Sequence, residues 1–234
     1  MNNDYQATDK MISLISDNYQ LLQVMSRFGM SLGFGDKTVA EVCKINQVDT
    51  TTFLAVINFA HTGYSQIIEN IDDLSIPSLI NYLKQSHIYF LEFQLPKIRK
   101  ELDIALDHDN HITPLIIELF DHYIISIKKH MNYEDKHLFS YVEKLLHGNI
   151  QDNIQEDFEI TTFSKNHYLV DDNMHEIKNT LIKYNPAKSN NELSAVLYNI
   201  YCFENELDAH CKAEDYIFLP AVFNLEKKIQ NERK

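Results

Sequence analysis

Apolar side chains recur every three or four residues through most of this chain, which is the spacing that lines one face of an α-helix. Long runs of this pattern follow one another in the C-terminal two thirds, at residues 77–106, 114–147, 152–184 and 192–230. Only short polar breaks separate them, and short turns between long helices are typical of antiparallel neighbours. The pattern therefore predicts an up-down-up-down four-helix bundle.

Proline and glycine sharpen the expected bounds of these helices. Pro77 and Pro114 suit the first turn of a helix, where the missing N–H costs nothing. Pro96 falls inside the first run and is expected to kink that helix or loosen one turn. Gly148 is expected to end the second helix, because glycine adopts the left-handed conformation of a C-terminal cap.

The N-terminal third predicts a separate small helical module. One helix is expected over 8–28, before a loop that holds three of the chain's five glycines. A second is expected over 38–46, where Thr38 and Glu41 have the spacing of a capping box. A third is expected over 49–63.

The predicted domains are therefore a helical module at 1–69 and the bundle at 77–230, with residues 70–76 as the linker. The composition favours an all-α protein, since the chain is 44% hydrophobic and has only 5 Gly and 5 Pro. No run of apolar residues is long enough to predict a membrane span or membrane partner.

The polar N-terminus lacks the apolar core of a signal peptide. Cys43, Cys202 and Cys211 have no paired spacing, which predicts free thiols and a cytoplasmic location. The net charge of −13 argues against a nucleic-acid partner. Residues 1–70 hold four basic side chains against seven acidic ones, so their short helices are not expected to bind DNA.

One sequence motif interrupts the apolar stripes of the bundle. The run His130-Met131-Asn132-Tyr133-Glu134-Asp135 recurs as His210-Cys211-Lys212-Ala213-Glu214-Asp215. Positions i and i+4 lie on one face of a helix, about 6 Å apart. An imidazole and a carboxylate in this arrangement can bind one metal ion, or bind one ion and bridge to a second.

A further histidine precedes each motif at the same distance. His87 lies 43 residues before His130, and His167 lies 43 residues before His210. Two pairs of His and Glu prove little in a chain with 11 His, but the repeat of the whole unit indicates duplicated architecture.

Helix lengths place these side chains together. Each of the four histidines lies between 15 and 20 residues from every break that joins its helix to another helix of the bundle. At about 1.5 Å per residue, all four fall at one level of an antiparallel bundle, within about one turn. Burying such polar groups without partners costs several kcal/mol each, and a pair of metal ions would satisfy them together. Four histidines and two glutamates suit iron first, then manganese or zinc.

Two other interpretations are weighed against a metal pair. The first is a plain helical bundle whose core histidines and glutamates satisfy one another. The second is a ferritin-like site with Glu-x-x-His motifs. Glu134 and His137 fit that motif once, but Ile217 stands at the matching position of the second repeat.

The residues around these motifs resemble the hemerythrin-like domain, and more closely the repair-of-iron-centres family of di-iron proteins. The resemblance covers about 77–228, including Leu95-Pro96 and the runs 130–135 and 210–220. It implies two iron ions with oxo and carboxylate bridges. The implied metal ligands are His87, His130, Glu134, His167, His210 and Glu214.

Residues 8–60 resemble the N-terminal module of the same family, through Phe28-Gly29-Met30 and Val39-Ala40-Glu41-Val42-Cys43. That module normally carries a Cys-Cys-Gly run in its glycine loop. Here the loop reads Ser31-Leu32-Gly33-Phe34-Gly35-Asp36 and has no cysteine. Cys43 is interpreted as a buried structural thiol rather than a redox group.

The resemblance implies repair of iron–sulfur clusters damaged by oxidative or nitrosative stress, with iron donation as the mechanism. The implied partners are damaged iron–sulfur proteins, with NO or oxygen as small ligands and a homodimer left open. The alternative is a di-iron sensor or carrier of NO or oxygen. No acid–base pair or nucleophile is required, so enzyme activity is left open. Asp135 and Asp215 are expected to solvate or orient a metal ligand.

Overall fold

The computed structural model describes residues 4–62, 71–148, 171–184 and 186–232. All of the regular elements in these ranges are helical, and the only strand-like contacts there are two isolated bridges. The all-α prediction is confirmed. None of the described helices is both long and apolar enough to span a lipid bilayer.

The α-helices of the described ranges are, in chain order, α1 (Met11–Asp17), α2 (Leu21–Arg27), α3 (Val39–Ile45), α4 (Thr50–His61), α5 (Ile76–Ile88), α6 (Leu95–Ala105), α7 (Thr113–Tyr133), α8 (Ser140–Leu146), α9 (Asp171–Tyr184), α10 (Asn190–Ala213) and α11 (Leu219–Glu232). Three π-helical turns interrupt them, namely Tyr89–Gln94, Glu134–Phe139 and Glu214–Phe218, called the first, second and third π turns below.

The chain divides into two compact units. The first unit consists of Met1–Ser86 with Ala209–Lys234, and the second consists of His87–Asp208. The domain bounds expected from the sequence, 1–69 and 77–230, stay a prediction.

The helical N-terminal module lies in the first unit, and its helices follow local rules. Thr38 and Glu41 form the predicted capping box, and Asp49 caps α4 by accepting a hydrogen bond from the backbone of Thr52. The single helix expected over 8–28 was wrong, because the chain forms α1 and α2 there. Asn18 separates them: its backbone is extended, and its side chain accepts a hydrogen bond from the backbone of Gln20.

Aromatic packing and a pair of hydrogen bonds hold the first unit together. Phe28 packs edge-on against Phe53 and stacks on Tyr82, with ring centroids 5.4 and 4.8 Å apart. The backbone of Tyr5 is tied to the side chain of Asn58 by two hydrogen bonds of 2.7 and 3.0 Å. The described part of the predicted linker, 71–76, contains the 3-10 turn Ile71–Asp73 and the first residue of α5.

The second unit shows the predicted effect of Pro96. The first π turn ends one residue before Leu95-Pro96, so the helix loosens where the proline removes a backbone donor. Gly148 has a φ of 67° and follows the C-cap of α8, as predicted. The helix expected over 152–184 is described only at α9, and the rest of that prediction lies outside the described residues.

The core of the second unit is built around aromatic side chains. Phe203 packs edge-on against both Phe90 and Tyr123, with ring centroids 5.7 and 6.1 Å apart. At one end of this unit the backbone N–H of Asp107 donates to the carbonyl of Pro186 at 2.8 Å. These contacts hold α6 and α7 in place, and α7 leads to the His130 and Glu134 positions described next.

Candidate metal centre

A buried glutamate between two histidines forms the centre of the candidate site in the second unit. The side chain of Glu134 is fully buried. Its Oε2 atom lies 3.0 Å from Nε2 of His87, and its Oε1 atom lies 2.8 Å from Nε2 of His130. Each carboxylate oxygen therefore faces one imidazole nitrogen, and the structure brings three of the expected metal ligands together.

Local helical geometry produces half of this arrangement. His130 lies in the last turn of α7, and Glu134 is four residues later, on the same face. Glu134 is also the first residue of the second π turn. His87 arrives from the last turn of α5, so its contact with Glu134 depends on tertiary packing.

The other ring nitrogen of His87 has its own partner. Its Nδ1–H donates to Oδ1 of Asp135 at 2.9 Å, and Phe139 stacks on the ring with centroids 5.6 Å apart. Burial by itself would lower the pKa of His87. The hydrogen bonds and charges of Asp135 and Glu134 outweigh burial and raise this pKa to about 9.

These donors fit a metal ion by their chemistry. Imidazole nitrogen and carboxylate oxygen together suit iron, manganese or zinc. A metal-bound histidine commonly donates its second N–H to a carboxylate, and His87 makes that hydrogen bond to Asp135. The described part of the chain thus contains buried histidine and glutamate side chains that could hold a metal ion.

The first unit contains the second copy of the motif. His210 lies near the end of α10, and Glu214 opens the third π turn. Both side chains are buried, with exposed fractions of 1% and 0%. The prediction that both motifs occupy core positions is therefore confirmed for Glu134, His210 and Glu214. His167 lies outside the described residues.

The remaining histidines near the motifs lie at the surface. His122, His137 and His175 are all exposed. His137 contacts the backbone carbonyl of Tyr133 through Nδ1 at 3.0 Å and stacks on the Tyr133 ring. The structure therefore places His137 at the surface rather than in the core.

Cys43 is completely buried, as predicted. Burial is the main cause that raises the pKa of its thiol, to about 11. A thiol of this kind is poorly nucleophilic and a poor metal ligand near neutral pH, because the thiolate is the reactive form. The structure forms no disulfide from Cys43, Cys202 or Cys211.

The π turns were only partly foreseen from the sequence. Pro96 and Pro220 each lie two residues after the end of the first and third π turns, so proline is a usable signal for both. The second π turn has no proline after it, and its only sequence mark is the motif itself. Such turns are frequent at functional sites. Phe139, which covers the His87 ring, has no sequence signal that distinguishes it from ordinary core.

Comparison with known proteins identifies one family. A model of the hemerythrin HHE cation-binding domain matches residues 78–222. This range includes all six predicted metal ligands. No curated protein matches the chain. The family match and the helices together confirm the predicted fold, an all-α hemerythrin-like bundle preceded by a helical N-terminal module.

Proposed function

The chain belongs to the family of the hemerythrin HHE cation-binding domain, and from this premise we propose that it is a di-iron protein. Two iron ions would be held by His87, His130, Glu134, His167, His210 and Glu214.

The observation that carries this proposal is the fully buried carboxylate of Glu134, with an imidazole nitrogen within 3.0 Å of each oxygen. The repeat of the motif at His210 and Glu214 supports a second iron. Iron would supply redox chemistry and open coordination positions. The chain's own residues would hold it, and the burial of Glu134 and Glu214 excludes water from both carboxylates.

We further propose that the protein repairs iron–sulfur clusters damaged by oxidative or nitrosative stress, by donating iron to the damaged protein. The support is the resemblance of both the bundle and the N-terminal module to the repair-of-iron-centres family. Metal release requires no nucleophile or acid–base pair. The free thiols agree with the proposed cytoplasmic location.

A second candidate function is a sensor or carrier of NO or oxygen that retains its iron. The glycine loop at 31–36 favours it, because the loop has no cysteine that could pass iron or electrons. Cys43 does not replace the missing pair, since its thiol is buried and its pKa is raised to about 11.

Reactivation of a damaged enzyme distinguishes the two functions. An iron–sulfur enzyme inactivated with peroxide or NO is incubated with the iron-loaded protein, and its recovered activity is measured. The control is the double variant His130→Ala, His210→Ala, which lacks a histidine from each motif.

We expect only the iron-loaded wild type to restore activity. If the wild type binds two irons and NO but restores nothing, the repair function is wrong and the sensor or carrier function takes its place. If the wild type binds no iron, both functions are wrong.

A further inference from the structure

We infer that Asp135 is a positioning residue, which sets the tautomer and the orientation of His87 so that its Nε2 atom faces the metal. This inference rests on the proposed di-iron function. It concerns a residue outside the six ligands.

The carboxylates of two consecutive residues hold the two nitrogens of one imidazole. Asp135 Oδ1 accepts the Nδ1–H of His87 at 2.9 Å, while Glu134 Oε2 lies 3.0 Å from Nε2. Neighbouring side chains on a regular α-helix diverge by about 100°. Glu134 and Asp135 begin the wider second π turn, and there both reach the same ring.

The chemistry of these groups determines the direction of the ring. A neutral imidazole has one N–H and one lone pair, and an ionised carboxylate can only accept. Asp135 therefore takes the Nδ1–H, and the lone pair remains on Nε2, on the side of Glu134. A carboxylate in this position also raises the basicity of the ligating nitrogen.

Packing restricts the ring further. The side chain of His87 is 2% exposed, and the fully buried Phe139 stacks on it. Asp135 is 38% exposed and reaches His87 from the surface. Because Asp135 is not core, its replacement leaves no buried cavity, and its effect on metal binding can be measured separately from folding.

The test compares Asp135→Ala, Asp135→Asn and the control Glu118→Gln. Glu118 lies on α7, is exposed, and loses the same charge far from the site. Iron per chain is measured after anaerobic loading and gel filtration, and iron affinity is measured by competition with a coloured chelator. The absorption and Mössbauer spectra report the ligand environment directly.

We expect Asp135→Ala to weaken iron binding by about 10- to 100-fold and to alter both spectra. Asp135→Asn should lie between Ala and wild type, because the amide oxygen still accepts the N–H but has no charge. Glu118→Gln should match the wild type.

Three results would count against the inference. Wild-type affinity and spectra in Asp135→Ala would overturn the positioning role while leaving the di-iron function intact. If Asp135→Ala loses helical content without metal, Asp135→Asn decides, and wild-type affinity and spectra in that variant would overturn the role. If the wild type itself takes up no iron, the di-iron function fails first.

Discussion

The glutamate is buried in both copies of the His-x-x-x-Glu-Asp motif, but the neighbouring residues differ in exposure. Glu134 and Glu214 are both fully buried, and each opens a π turn. His130 is 14% exposed, whereas His210 is 1% exposed. The residue before each glutamate differs more strongly, since Tyr133 is 43% exposed and Ala213 only 5%.

This difference separates the burial of the glutamates, which metal binding would require, from the exposure of their neighbours, which depends on local packing. The burial of the glutamates is the same in both copies, as expected if both serve one kind of metal chemistry. The neighbouring positions follow the packing of their own unit. Substitutions at matched positions of the two motifs can therefore test the comparison.

The largest effect is expected from Glu134→Gln and Glu214→Gln. Glutamine keeps the shape of the side chain but is a weak metal ligand, so each variant should lose about 100-fold or more in iron affinity. This loss should exceed the one expected for a residue that only hydrogen-bonds to a metal ligand. Chelator competition measures the loss. A large loss in one variant and none in the other would show that the two motifs are not equivalent.

A smaller effect is expected from exchanging the residues before the glutamates. Ala213→Tyr inserts a large ring at a buried position and should lower the free energy of unfolding by about 1–3 kcal/mol. Tyr133→Ala changes a partly exposed ring, and its cost should be about 0.5 kcal/mol. Urea unfolding of the metal-free protein compares the two. Equal costs would contradict the difference in burial.

The burial of Cys43 in the first unit can be compared with that of the partly exposed Cys202 in the second. The raised pKa of Cys43, about 11, leaves little thiolate at pH 8. Alkylation of Cys43 should therefore be at least about tenfold slower than alkylation of Cys202. The rate at Cys43 should increase as the pH approaches 11. Mass spectrometry after timed iodoacetamide treatment measures both sites, and rapid labelling of Cys43 at pH 8 would contradict its burial.

The smallest effect is expected from Pro96→Ala. Alanine restores the backbone donor after the first π turn, so the loosened helix can regain a regular turn. The change in free energy of unfolding should be within about 1 kcal/mol. Ser140→Ala, at the residue directly after the second π turn, is the control, since that turn persists without proline. A large loss of helix in Pro96→Ala would mean that proline stabilises the π turn rather than permitting it.

Much of the fold could be predicted from local sequence. The capping box of Thr38 and Glu41, the end of α8 at Gly148 and the loosened turn before Pro96 depend on neighbouring residues, so their pattern is visible in the chain. The break at Asn18 was missed, because the apolar spacing continues across it while the Asn18 side chain accepts a hydrogen bond from the backbone N–H of Gln20.

The candidate site also depends partly on local sequence and partly on tertiary packing. The sequence by itself determined that the His and Glu of each motif share a helix face and that Glu134, His210 and Glu214 occupy core positions, because four-residue spacing and the apolar stripe are properties of one helix. Only the tertiary structure decided that Nε2 of His87 meets Glu134, that Nδ1 meets Asp135, and that Phe139 covers the ring. Those contacts join residues about 50 positions apart, and their geometry depends on how separate helices pack and where a π turn redirects a side chain.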